Sequence, residues 1–223
     1  MRDNWYTADH HFGAQAITGH IGRKGAGWDR EFESAGEMDA YMIDHWNEVV
    51  GHEDTVYHLG DFTLKSGKVF LKYLERLVGR IKFVPGGHDL RWMKDLGIKP
   101  DDGRQDLPRP YQKHEVLPML YFQHTRIITK DYAPGGGLQN SKKQLLVLSH
   151  YPFFTWESSH HGSWNLHGHS HGGLGKANRY LKLVAQPPST LEDGNSIDVG
   201  VDANWDYYPV HFTTIVDRLD RGD

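Results

Sequence analysis

The sequence predicts an α/β fold in which parallel strands are joined by crossover helices. Short apolar segments alternate with helix-like segments over residues 4–85, and each apolar segment is followed by a polar loop. This strand–helix–strand order favours a layered α/β architecture. No repeat or linker divides the 223 residues, so we expect a single domain over residues 1–223.

The elements of the first part of the chain follow from local patterns. Ser34 and Glu37 form a capping-box pattern before a helix that Gly51 ends, and apolar residues recur within it at helical spacing. The Gly- and charge-rich stretch 13–33 predicts an irregular loop. The predicted strands are 4–8, 54–59 and 80–85, and the predicted helices are 34–51 and 66–79, the second capped by Ser66 and ended by Gly79.

The second part of the chain has a different character, with more strand-like segments and turn residues. A polar, Pro-containing connection comes first, after residue 100, and two long strands then flank a Gly-rich loop at 134–141, which predicts a hairpin. The strand candidates are 119–132, 142–150, 163–169, 179–185 and 195–201, and residues 211–221 predict a closing helix.

Composition narrows the functional classes. A net charge of −4 gives no basic field for a nucleic-acid partner, and the absence of cysteine excludes disulfides, zinc–thiolate sites and cysteine nucleophiles. The chain begins without a charged-then-apolar leader and has no apolar run of membrane-spanning length. We therefore expect a cytoplasmic protein with no membrane partner.

Histidines and aspartates collect in five short segments, each directly after an apolar or β-branched run. The chain has 16 histidines, which is several-fold more than usual. Residues at the carboxyl ends of neighbouring strands converge at one edge of an open α/β sheet, where ligands bind. The segments are TADHHFG around Asp9, HLGDF around Asp61, PGGHD around His88, LSHYP around His150 and LHGHSHGG around His169 and His171.

Carboxylate and imidazole side chains at such an edge predict a metal site. This mixed set suits Mn, Fe or Zn better than Ca, and we expect two divalent ions, with Mn as the first candidate. A carboxylate can bridge two cations about 3.5–4 Å apart, and such a pair clamps both oxygens of a phosphoryl displacement.

The five segments resemble, in order, the motif series of the calcineurin-like metallophosphoesterases, particularly the small prokaryotic and phage members. The resemblance runs from about residue 4 to about residue 171, and continues into 197–210. It implies an α/β/β/α sandwich, two mixed sheets flanked by helices. The matching segments are Asp9-His10-His11, Gly60-Asp61, Gly86-Gly87-His88-Asp89, His150 and Gly168-His169-Ser170-His171.

The same resemblance implies a role for each matched residue. Asp61 would bridge the two metals, and His88 would act outside the coordination shell as a general acid or a stabiliser of charge, oriented by Asp89. The ligands would be Asp9, His11 and His171 for the first metal and His150 and His169 for the second.

The chain departs from this pattern at Gly87, where the family has an asparagine whose oxygen ligates the second metal. Glycine has no side-chain donor, so water or substrate would complete the second site. Either that metal binds more loosely, or catalysis is impaired. Gly86 and Gly87 could also serve a turn that needs positive φ.

Other histidines have simpler interpretations. His45, His124 and His58 are predicted to be hydrogen-bonded core residues, with a supporting role near the metals as an alternative for His58. His10 should point away from the metals because side chains alternate along an extended segment. His160 and His161 are predicted to be exposed loop residues, with substrate contact as the alternative.

These observations predict a binuclear metal-dependent phosphoester hydrolase that uses a metal-activated hydroxide on a small phosphoester or nucleotide, with phosphodiesters favoured. A nuclease of the same family is a second hypothesis, which the acidic balance disfavours. A metal-binding scaffold with impaired catalysis is a third, motivated by Gly87. The oligomeric state is left open.

Overall fold

Residues 2–18, 30–100, 102–128, 141–173, 195–203 and 205–221 are described by a computed structural model. Over these residues the protein is a mixed α/β fold with two mixed sheets flanked by helices. The strands are β1 (Asn4–Thr7), β2 (Thr55–His58), β3 (Arg80–Phe83), β4 (Gln105–Asp106), β5 (Glu115–Val116), β6 (Leu120–Ile128), β7 (Ser141–Ser149), β8 (Trp164–His167), β9 (Ser196–Asp198) and β10 (Val210–His211). The helices are α1 (Ala35–Val49), α2 (Gly67–Leu74), α3 (Leu90–Asp95) and α4 (Phe212–Arg221).

The first sheet has the strand order β10-β1-β2-β3-β5-β4, in which β1, β2, β3 and β5 run parallel. The second sheet has the order β6-β7-β8-β9, in which β6 and β7 form the predicted antiparallel hairpin and β7, β8 and β9 run parallel. Each sheet therefore gathers the carboxyl ends of three or more strands at one edge.

Two apolar clusters hold these layers. The first packs α1, α2 and α3 on one face of the first sheet, with Trp46, Phe70 and Trp92 among its buried side chains. The second joins strands of both sheets to α4 and includes Tyr6 and Leu148. Because this second cluster draws on both sheets, it fixes how the sheet edges lie relative to each other.

Helix α1 begins as the capping pattern predicts. The Ser34 hydroxyl accepts the Glu37 amide at 3.1 Å, and the inward face carries buried Met38, Met42 and Trp46. Ser66 precedes α2 but makes no side-chain cap; instead the Gly67 amide donates to Asp95 at 2.9 Å. A carboxylate from α3 thus replaces the local cap that the sequence predicted.

Some boundaries differ from the predictions. Helix α2 ends at Leu74, well before Gly79, whose φ of 92° serves the turn into β3. The polar connection predicted past residue 100, over 101–112, contributes β4 to the first sheet, and β5 follows this connection. The predicted strand 179–185 lies outside the described residues, and the closing helix is confirmed as α4. Among the described residues, no helix is both long and apolar enough to cross a membrane.

Candidate metal centre

The carboxyl ends of β1, β2 and β3 bring three of the predicted segments to one edge of the first sheet. These strands are parallel neighbours, with Thr7 opposite His58 and His58 opposite Phe83. The residues that follow are therefore brought together, and the Asp9 amide donates to the Gly60 carbonyl oxygen at 3.0 Å.

The second sheet brings the remaining two segments to the same place. His150 follows β7, and the loop after β8 carries His169 and His171. The Gly168 amide donates to the His150 carbonyl at 3.0 Å, and the His169 amide donates to Asp9 Oδ2 at 2.8 Å. The two sheets thus meet at the predicted ligands.

The six predicted ligands fall into two groups that could each hold a metal ion. In each group one ligand atom from each residue lies within 4.8 Å of the others. Five of the six residues are largely buried, and His169 is on the exposed side. The groups are Asp9, His11 and His171, and Asp61, His150 and His169.

Asp61 faces both groups through a single oxygen. Its Oδ2 lies 3.3 Å from Nε2 of His150 in its own group and 3.8 Å from Nε2 of His11 in the other. Asp61 Oδ1 points away and accepts the backbone amide of His88 at 3.0 Å. One oxygen is therefore free to lie between two cations, as a bridging carboxylate requires.

Several of the proposed ligand atoms make no hydrogen bond with the described residues. Asp9 Oδ1, His11 Nε2 and His150 Nε2 are buried polar atoms without a hydrogen-bond partner in the part of the chain that the structure describes. A buried polar atom left unpaired normally costs free energy and calls for an explanation, of which a bound ion is one. The donor set of carboxylate and imidazole matches divalent transition metals, so these residues fit such ions.

The backbone at the ligands is held in an unusual conformation. Few non-glycine residues adopt positive φ, although Asp and His tolerate it better than most, and each such residue costs about 1–3 kcal/mol. Strain of this kind collects at functional sites. The ligands with positive φ are Asp9 (59°), His11 (50°), Asp61 (56°), His169 (68°) and His171 (47°).

Small residues make room for the two aspartates. A β-carbon on Gly168 would lie 2.6 Å from Asp9 Oδ2, and one on Gly86 would lie 2.4 Å from Asp61 Oδ1. Both contacts are shorter than any real β-carbon makes. These positions need glycine because the carboxylates approach the backbone closely.

Further hydrogen bonds orient the imidazole rings. Nδ1 of His150 lies 2.9 Å from the Leu59 carbonyl oxygen, which can only accept, so Nδ1 carries the proton and Nε2 faces Asp61. His171 Nδ1 lies 2.7 Å from Asp202 Oδ2. Carboxylate and carbonyl partners of this type fix the tautomer of metal-binding histidines.

Asp202 and Arg30 lie at the candidate site and were missed by sequence reasoning. The buried guanidinium of Arg30 donates to Asp202 Oδ2 at 3.1 Å, to the His10 carbonyl at 2.8 Å and to the Asp9 carbonyl. The Arg30 side chain therefore links the turn at Asp9 to Asp202, the hydrogen-bond partner of His171. Asp202 lies within the stretch 197–210, into which the resemblance was expected to continue, and this was the available signal. Arg30 lies in a stretch with no pattern.

The ionisation of the ligands reflects burial and their mutual contacts. Burial raises the pKa of Asp9 to about 7, although the charges of His171 and His150 oppose the shift. Burial alone would lower the pKa of His150, but the Asp61 carboxylate, whose Oδ2 lies 3.3 Å from Nε2 of His150, raises it to about 9. Burial works against the Asp61 carboxylate, yet the same interaction holds its pKa well below the usual value.

His88 lies at the mouth of the site. Its side chain is 49% exposed, and its Nε2 lies 3.8 Å from Asp61 Oδ2. Asp89 does not orient His88 as predicted. The Asp89 carboxylate accepts the Asp61 and Gly86 amides at 2.7 and 2.9 Å, and its other oxygen accepts the Phe62 amide and the Trp92 indole. Asp89 therefore fixes the turn that carries Asp61.

The glycines beside His88 do not serve a positive-φ turn. Neither Gly86 nor Gly87 has positive φ. Gly86 is required for space, as described above. A β-carbon on Gly87 would lie 3.0 Å from the Tyr151 hydroxyl oxygen.

The remaining histidines divide between core and surface. His10 points away from the ligands, as predicted, and its Nδ1 lies 2.9 Å from Nε2 of buried His58. His45 is half-buried on α1, with Nδ1 2.9 Å from the Tyr41 carbonyl, and His124 is exposed on β6. The prediction that His45 and His124 are core residues is wrong, because both lie on outward faces of their elements.

The chain is similar to proteins whose names state no activity. No family model matches the chain. The Gene 66 protein of Mycobacterium phage D29 is 27% identical and spans 94% of this chain and 93% of its own length. The Gene 66 protein of Mycobacterium phage L5 is also 27% identical, over 78% of this chain and 80% of its own length.

A shorter protein segment and a solved structure are also similar to this chain. The uncharacterized protein MJ1445 of Methanocaldococcus jannaschii is 35% identical over 91 residues, which are 40% of this chain and 48% of that protein. The crystal structure of a protein of unknown function, AQ665 from Aquifex aeolicus, covers 97% of this chain with a TM-score of 0.55 and 19% identity. At that identity the likeness concerns the fold alone.

Proposed function

We propose that the protein is a binuclear metal-dependent phosphoester hydrolase with a preference for phosphodiesters. The observation that carries the proposal is the position of Asp61 Oδ2, 3.3 Å from His150 Nε2 and 3.8 Å from His11 Nε2, between two groups of ligands. A site for one structural metal would not need a second group of three ligands joined to the first by one carboxylate.

The donor chemistry supports Mn²⁺, with Fe or Zn as alternatives, at both positions. The first ion would be held by Asp9, His11 and His171, and the second by His150 and His169. Asp61 would bind both ions. Two such ions would neutralise phosphoryl oxygens and lower the pKa of water that they bind. An α/β/β/α sandwich suits this centre because ligands from both sheets then meet at one edge.

The protein's own residues would position the substrate and move protons. His88 is half-exposed beside Asp61, so its Nε2 can reach the leaving oxygen of a phosphoester that lies over the ligands. Its backbone amide donates to Asp61 Oδ1 at 3.0 Å, which holds the His88 backbone at the mouth of the site. His88 would donate a proton to the departing alkoxide.

Turnover of bis(p-nitrophenyl) phosphate in the presence of Mn²⁺ tests the proposal, together with metal analysis after dialysis. We expect two metals per chain, Mn²⁺-dependent release of nitrophenol and loss of activity with a chelator. His150→Ala should lower metal content and activity, whereas the matched control His124→Ala, an exposed histidine on β6, should change neither.

The alternatives give different results in the same assay. A metal-binding scaffold would hold two metals and turn over neither the diester nor p-nitrophenyl phosphate. A nuclease would cleave DNA far faster than the small diester, with binding that weakens as salt rises. The first outcome would contradict the proposal, whereas the second would change the substrate from a small phosphodiester to DNA.

A further inference from the structure

One side chain lies over the second group of ligands without belonging to it. The Tyr151 ring packs edge-on against the rings of His150 and His169, with centroid distances of 4.8 and 4.7 Å. Tyr151 is 41% exposed, and its hydroxyl makes no hydrogen bond with another residue in the described part of the chain. A polar group is thus presented at the exposed side of the second group.

Gly87 provides the space that this hydroxyl occupies. The β-carbon direction of Gly87 leads to Tyr151 Oη at 3.0 Å and, apart from the two chain neighbours of Gly87, to no other described atom within 4 Å. Any side chain at position 87 would compete with the hydroxyl for the same volume. Glycine at 87 and tyrosine at 151 therefore form a complementary pair beside the Asp61 turn.

We propose that the Tyr151 hydroxyl donates a hydrogen bond to a phosphate oxygen of the substrate at the second group of ligands. The inference rests on the proposed function. A phenol is a suitable donor because it is neutral and adds no charge to compete with the cations. The second group offers three ligands and an exposed side, so a phosphate oxygen that completes this group would lie beneath Tyr151.

The opposing explanation is that Tyr151 only packs against the two histidines. Tyr151→Phe separates the two roles, because phenylalanine keeps the ring and removes the hydroxyl. The probe is inorganic phosphate, measured by calorimetry with protein that has been equilibrated with Mn²⁺. We expect unchanged metal content and phosphate affinity lowered about 10- to 100-fold, as for loss of a hydrogen bond to a charged group.

Tyr111→Phe is a matched control. Tyr111 lies between β4 and β5, at the end of the sheet opposite the carboxyl ends of the parallel strands, and its hydroxyl donates to Glu75. Both metal content and phosphate affinity should be unchanged in this variant. A comparable loss of phosphate affinity in Tyr111→Phe would mean that the effect is not local to the site.

A second variant tests the shared volume. Gly87→Asn adds an amide oxygen that should tighten the second metal, and it also displaces the Tyr151 hydroxyl. We expect tighter Mn²⁺ binding but weaker phosphate binding. When Tyr151→Phe is already present, Gly87→Asn should weaken phosphate binding no further, because the hydroxyl it displaces is gone.

The outcomes separate this inference from the proposed function. If the parent protein with Mn²⁺ neither binds phosphate nor turns over a phosphodiester, the proposed function fails and the inference fails with it. If the parent does both and Tyr151→Phe binds phosphate as tightly as the parent, only the role of Tyr151 is refuted. If the two substitutions lower phosphate affinity additively in the double variant, a side chain at position 87 and the Tyr151 hydroxyl do not compete for the same volume.

Discussion

Asp61→Asn is the most informative single substitution, because asparagine has the same shape and cannot satisfy both contacts of the carboxylate. Asp61 Oδ1 accepts the His88 amide at 3.0 Å, while Oδ2 faces both groups of ligands. If the amide oxygen keeps the first contact, the NH₂ group faces the cations and cannot bind them. If the asparagine side chain rotates so that its oxygen faces the cations, its NH₂ group faces the His88 amide, and two N–H donors then oppose each other.

The expected effect on metal binding is large. Loss of a residue that only orients a metal ligand weakens metal binding about 10- to 100-fold, and a bridging ligand should cost more, so we expect at least about 100-fold. If bridged cations contribute about 4 kcal/mol to the transition state, turnover falls about 10³-fold. Metal content after dialysis, calorimetric titration with Mn²⁺ and diester turnover measure these effects.

The fold should survive, since Asp61 is held by backbone contacts that asparagine retains, and circular dichroism checks this. Asp44→Asn, an exposed aspartate on α1, is the control and should behave as the parent. Two metals bound as tightly in Asp61→Asn as in the parent would refute the bridging role.

Three further predictions concern the surroundings of the ligands. His88→Ala should keep its metals and lower turnover about 10²–10⁴-fold, with a smaller loss for leaving groups that need no proton; loss of metal would make His88 a ligand. Asp202→Asn should weaken binding of the first metal about 10- to 100-fold, because Asp202 orients His171 at 2.7 Å; unchanged calorimetric affinity would contradict this. Metal affinity should rise with pH through about 7 and on towards about 9, because protons must leave Asp9, whose pKa burial raises to about 7, and His150, whose pKa Asp61 raises to about 9. A titration that shows the same affinity at both ends of this range would count against those shifts.

Much of the fold could be predicted from local sequence. Ser34 and Glu37 mark the start of α1, and the apolar segments before Asp9, Asp61 and His88 mark three parallel strands. These signals are local, since capping and side-chain alternation involve residues a few positions apart. The order of the elements then places polar residues at one sheet edge. The resemblance of the five segments to a known motif series implied which six of these residues are candidate ligands.

Other features of the site depend on packing between distant segments. The hydrogen bond from the His169 amide to Asp9 joins residues 160 positions apart, and the Arg30 bond to Asp202 joins residues 172 apart. No local pattern encodes such contacts. They arise only when the apolar cluster shared by the two sheets fixes the distance between their edges.

The role of Asp89 and the pairing of Gly87 with Tyr151 show what the sequence determined and what only the tertiary structure decided. The sequence by itself determined which polar side chains are present and which strand each one follows, because strand ends are set by local residue pattern. It could not determine that Asp89 turns towards the Asp61 backbone, or that the Gly87 backbone meets a tyrosine hydroxyl at 3.0 Å. These two contacts depend on the direction of each side chain and on the space that neighbouring segments leave. Only the packed tertiary structure defines both.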